Sequence, residues 1–128
     1  MTQTITEQAI HLIDTIGLLL DEAQDLDESY LSKLEKMEDK MTFFITEFYK
    51  HSALSISDYA SYLNHDALSQ LTFILGYAEL FRSVNAHLLN HTAIDHLNII
   101  CDGTRNLSEI LREERDRIVM ERDQLTNH

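Results

Sequence analysis

Along this chain apolar residues recur at intervals of three and four, the spacing that gathers side chains onto one face of an α-helix. The first stripe runs through Ile5, Ala9, Leu12, Ile13, Ile16, Leu19, Leu20 and Ala23, and Thr4 followed by Glu7 has the form of a capping box. A first helix is therefore predicted from about residue 5 to about residue 24. The acidic segment Asp21 to Ser29 reads as its exit, with Asp25, Asp27 or Ser29 able to cap the second helix. Tyr30, Leu31, Leu34, Met37, Met41, Phe44, Ile45 and Phe48 carry that helix to about residue 50. The next eight residues, HSALSISD, predict a bend, although no strong breaker excludes a continuous helix. A third stripe, Ala60, Leu63, Ala67, Leu71, Ile74, Ala78 and Phe81, predicts a helix from about residue 57 to about 90. Asn85 and Asn90 mark a turn, Thr92 and Asp95 are again spaced as a capping box, and a last helix is expected from about 92 to 124. At 1.5 Å per residue the third helix would be roughly 50 Å long and the first roughly 30 Å.

Composition sharpens this picture. Proline is absent and the only glycines are Gly17, Gly76 and Gly103, so few turns can be built and the fold class is all-α. The formal net charge of -12 repels phosphate backbones and anionic lipid, which argues against nucleic-acid and membrane partners. The single cysteine, Cys101, rules out an internal disulfide and a cysteine-based zinc site, and it reads as a small apolar helix residue. The most apolar N-terminal segment, Ile10 to Leu20, is broken by His11 and Asp14 and is too short to span a bilayer. It lacks a basic leader and a cleavage site, so a cytoplasmic protein is expected.

One stretch carries candidate chemistry. His65 lies about 200° round the helix from Leu63, on a flank shared with Ser69, Thr72 and Gly76, and is expected to face solvent. Asp66 follows it immediately. Leu68 and Leu75 flank the site and read either as an exposed apolar docking patch or as part of the core.

The words His65-Asp66, then Leu71, Ile74, Gly76-Tyr77 and Glu79-Leu80, resemble the phosphoacceptor helix of sensor histidine kinases, their dimerisation and histidine-phosphotransfer domain. Ile94, Leu97, Ile100, Gly103, Leu107, Ile110 and Leu111 resemble the second helix of that hairpin, so the likeness covers about half the chain. In the middle the chain departs from the family: Ala67, Leu68, Ser69 and Gln70 stand where it commonly has Leu, Arg, Thr or Asn, and Pro. Gln70 removes an expected kink. The resemblance implies His65 as phosphoacceptor and Asp66 as its orienting or acid/base partner. It also implies Ser69 at the position that helps place a water for dephosphorylation, and a partner-binding surface around Leu68, Thr72 and Leu75. No glycine-rich phosphate-cradling loop is present, so autophosphorylation with ATP is not expected.

His87, His91 and His96 gather at the predicted turn, and His87 with His91 has the spacing of a zinc pair if the helix continues that far. Without an HExxH or paired ExxH elements, no metal and no cofactor are expected. The expected architecture is a four-helix bundle of two antiparallel hairpins, residues 1–52 and residues 53–128. Either the N-terminal hairpin covers the long one within a chain or two chains join; the helix-length mismatch and the family likeness favour a homodimer. The expected function is phosphate exchange between His65 and a response-regulator aspartate in two-component signalling. The alternative is a catalytically silent adaptor or dimerisation module that binds a kinase or regulator.

Overall fold

Each predicted stripe becomes the buried face of a helix. A computed structural model describes residues 2–126, and all its regular elements are helical. They are α1 (Thr2–Glu22), α2 (Glu28–Ser52), α3 (Ile56–Tyr62), α4 (Leu68–Asn85) and α5 (His91–Thr126). A π-helical turn, Leu63–Ala67, joins α3 to α4, and a 3₁₀ turn, Ala86–Leu88, comes after α4. Helix α1 packs on α2, α2 on α4, α4 on α5, and α5 back on α1, closing a ring around one core. The short α3 lies against α5 and the end of α2.

The core holds Ile5, Leu12, Ile16 and Leu19 from α1 with Leu34, Met37, Met41, Phe44 and Phe48 from α2. Leu63, Leu71 and Ile74 enter it from the third stripe. Each such side chain contributes about 1.5–3 kcal/mol on burial, far more than the fractions of a kcal/mol that separate helix propensities. Packing therefore decides the arrangement. Aromatic edges lock it: Tyr30 meets Phe81 edge-on at 6.4 Å, and Phe48 meets Tyr59 at 5.9 Å. Because α1 and α2 already cover the α4–α5 stripe, its burial needs no second chain.

The helix ends differ from the expected caps. Thr4 lies inside α1, and Glu7 accepts a hydrogen bond from the Gln3 side chain at 3.0 Å instead of closing a box. Asp27 occupies the cap position of α2, but only its backbone carbonyl is used, by Tyr30 and Leu31. The stop between α2 and α3 is set by Ser55, whose Oγ accepts from the Asp58 N–H at 3.2 Å while its hydroxyl donates to the Asp58 carboxylate at 2.8 Å. That reciprocal pair satisfies a free helix-end donor, so the chain bends there. At α5 the cap is Asn90, not Thr92: its Oδ1 accepts from Ala93 N–H at 2.8 Å.

Two features on α5 set its packing. Gly103 lets α1 come close, since a Cβ there would stand 2.6 Å from a methyl of Leu12. Beyond Leu111 the alternating charges from Arg112 to Arg117 read as a solvated face, yet Glu114 is wholly buried because it shares a stripe with Leu107, Leu111 and Ile118. No helix among the described residues is long and apolar enough to cross a membrane.

Candidate functional site

The third stripe does not run as one regular helix. At Leu63–Ala67 the ladder widens into a π turn, and His65 and Asp66 sit in it. Such turns insert a residue into the α-helical repeat, loosen the backbone ladder and recur at functional sites. Here the turn is held from behind. Upstream, the Tyr59 hydroxyl donates to Glu114 Oε2 at 2.8 Å, and Arg117 pairs with the other carboxylate oxygen at 2.7 Å. The Tyr62 ring stacks on His51 of α2, centroids 4.6 Å apart and planes within 8°. Its hydroxyl donates to Gln70 Oε1 at 2.9 Å, so one hydrogen bond spans the whole π turn.

Both phenols are locked in the neutral form. Burial raises the Tyr59 pKa well above the ordinary phenol range, and the Glu114 carboxylate adds to it. Burial does the same to Tyr62, with Glu47 and Asp66 contributing negative charge. They act as donors that position the helix.

On the outer face, His65, Asp66, Ser69, Thr72 and Gly76 are all exposed. His65, Ser69, Thr72 and Gly76 share one flank, and a side chain added at Gly76 would meet nothing within 4 Å. The imidazole therefore stands over an open, low-relief surface. No hydrogen bond joins His65 to Asp66 among the described residues. The Ser69 hydroxyl donates to the Asp66 carbonyl at 2.9 Å, and Thr72 donates to the Leu68 carbonyl at 2.8 Å. Both hydroxyl protons are thus used on the helix backbone, and what each oxygen offers outward is its acceptor side. Leu68 and Leu75 are partly buried and pack against the core, so each also keeps some surface outside it.

The apolar surface beside the site lies elsewhere on α4. Phe73, Leu80 and Val84 are exposed, with Tyr77 between them, its ring 4.9 Å from that of Phe73. The signal for this strip was in the sequence as a second apolar series at four-, three- and four-residue steps, running beside the longer core stripe. The Tyr62–Gln70 bond had no such signal, because it depends on the π turn.

The remaining candidates fall apart or inward. His87 lies in the 3₁₀ turn and His91 opens the next helix, so the break at Leu89 and Asn90 removes the continuous helix that a zinc pair needs. No group of three or more potential metal ligands occurs among the described residues. Cys101 is buried, and burial raises its thiol pKa, which makes it unreactive.

No protein-family model matches the chain, and no curated protein or solved structure matches it. The likeness to a phosphoacceptor hairpin accordingly rests on sequence words alone, chiefly His65-Asp66 and the Gly76-Tyr77 and Glu79-Leu80 ending.

Proposed function

We propose that the chain is a histidine phosphotransfer protein of two-component signalling, in which His65 exchanges a phosphoryl group with a response-regulator receiver domain. The single observation that carries this reading is the exposure of His65 on a π turn pinned from the core side by Tyr59 and Tyr62. In-line attack needs a ring nitrogen that an acyl phosphate can approach from outside, over a surface without tall side chains. Ser69, Thr72 and Gly76 supply that surface. In transfer, the P–O bond to the receiver's aspartate breaks as an N–P bond to the imidazole forms, and the aspartate leaves as its carboxylate. Asp66, exposed in the same turn, would stabilise the positive charge that develops on the ring. A histidine kinase is the alternative phosphoryl donor.

The second reading, a silent adaptor, is favoured by the exposed strip on α4, which would bind a kinase or regulator without any transfer. A homodimer belongs to either reading as a matter of regulation rather than of core burial, and sedimentation checks it. The deciding experiment incubates the protein with phosphorylated receiver domains and measures acid-labile phosphate. His65→Ala should abolish the label with the helical spectrum unchanged. Asp66→Asn should slow transfer by about 10–100-fold. Absence of label with receiver binding retained would replace phosphotransfer by the adaptor reading.

A further inference from the structure

The groove between α2 and α4 has a different chemistry from the rest of this acidic molecule. Its floor and outer wall are Phe43, Phe73, Leu80 and Val84, exposed by 50%, 45%, 53% and 55%, so about half of each side chain stands in water. Together they leave roughly 400 Å² of apolar surface, within the range of the largest patch on an ordinary monomer and often functional there. The α2 rim carries Lys33, Lys36 and Lys40, three residues of one helical flank. Lys40 Nζ lies 4.9 Å from the Phe73 ring centre and Lys33 Nζ 5.6 Å from that of Tyr30.

These ammonium groups have no carboxylate partner among the described residues, in a chain with 22 acidic residues. Every ion pair among the described residues is made by an arginine or a histidine. Helix α4 offers no carboxylate between Leu68 and Ala78, and Glu79 turns away to Arg105 of α5. Three of the five acidic residues of α2, Glu35, Glu38 and Asp39, line the opposite groove with Asp14 and Asp21 of α1, while Glu47, further along the lysine flank, pairs with His51. From Lys33 to Lys40 one flank of α2 is thus basic beside an apolar strip, and the other is acidic.

We infer that the α2–α4 groove is a docking site for a single amphipathic helix of a partner protein, with an apolar face for the Phe73–Val84 strip and Asp or Glu along the edge that meets Lys33, Lys36 and Lys40. The strip spans about three helical turns, roughly 16 Å, which matches a short helix. Its apolar area is about half of what each partner buries in a standard stable interface, so it suits a helix rather than a second copy. At long range the chain's net charge of -12 repels an acidic helix as well as a second copy. At about 0.1 M salt that long-range repulsion is screened beyond roughly 10 Å, and the lysine rim governs a helix lying in contact. This inference is independent of whether His65 carries phosphate.

The test uses two fluorescent amphipathic peptides of about 16 residues with identical leucine positions, one flanked by glutamates and one by lysines, titrated by anisotropy against the full chain. The glutamate peptide should bind at least about tenfold more tightly than the lysine peptide. Leu80→Asp should weaken it by about tenfold or more, and Lys36→Glu with Lys40→Glu should reverse the preference between the peptides. All three positions are exposed, so circular dichroism of these variants should match the parent. Equal affinity for both peptides, no binding of either, or binding untouched by Leu80→Asp would overturn the inference. So would a concentration-dependent dimer in sedimentation that Leu80→Asp dissolves, because a second copy would then occupy the groove.

Discussion

The side of the bundle built on α5 and the side formed by α2 and α4 solve the same packing problem in opposite ways. Along α5 close packing and paired charges dominate, although Ile99, Met120 and Leu125 remain exposed. Gly103 receives Leu12, Glu114 is shared by Tyr59 and Arg117, Arg105 pairs with Glu79, and Glu22 Oε1 lies 2.7 Å from His96 Nδ1. Along α2 and α4 the helices also touch through their core faces, yet Phe43, Phe73, Leu80 and Val84 remain in water beside a lysine rim. Both sides have enough apolar residues to close. The difference teaches that exposure on the α2–α4 side is not a shortage of core, and that the His65 face adjoins a surface strip that core packing does not use.

The sharpest way to break that contrast is at the buried carboxylate. Arg117→Met leaves Glu114, wholly buried, with Tyr59 as its only partner. Removing one member of a buried pair costs about 3–5 kcal/mol, and because Arg117 is itself half-exposed about 2–4 kcal/mol is expected here. A shift of the urea midpoint at constant m would measure it. Next comes alkaline pH. The folded state holds both tyrosine protons above the ordinary phenol pKa of 10.0, whereas the unfolded chain releases them there. Stability is therefore full below about pH 10 and falls as pH rises past it, by about 1.4 kcal/mol per tyrosine at one unit above. Tyr59→Phe with Tyr62→Phe should flatten that fall, and unchanged steepness would show the phenols play no part.

The smallest effects come from the two glycines, and they should have opposite signs. Gly103→Val forces Leu12 out of its place between α1 and α5 and should cost about 1–3 kcal/mol. Gly76→Ala adds a methyl that touches nothing and should stabilise by about 0.5–1 kcal/mol through helix propensity alone. Thermal melts of the pair would decide it; a destabilised Gly76→Ala would mean that the open face is covered in the folded protein.

Period alone determined a good deal about this protein. The all-helical class, four of the five helix positions and the buried members of the third stripe came from apolar spacing, because a helix that repeats every 3.6 residues must bury its stripe somewhere. The outward placement of His65, Ser69, Thr72 and Gly76 came from the same geometry, whereas the inward placement of Glu114 did not, because the alternating charges around it read as a solvated face. Tertiary structure alone decided the rest. How far Leu68 and Leu75 packed inward depended on which helices stood beside α4. The caps depended on the loop path: Ser55 with Asp58 formed one, but the equally local Thr4-x-x-Glu7 and Thr92-x-x-Asp95 patterns did not. The π turn under His65 comes with contacts of Tyr59 and Tyr62 to Glu114, His51 and Gln70, the first two on helices outside the third stripe. A stripe specifies that a face is buried, but the partner that buries it is chosen by shape and charge at separations no local pattern encodes.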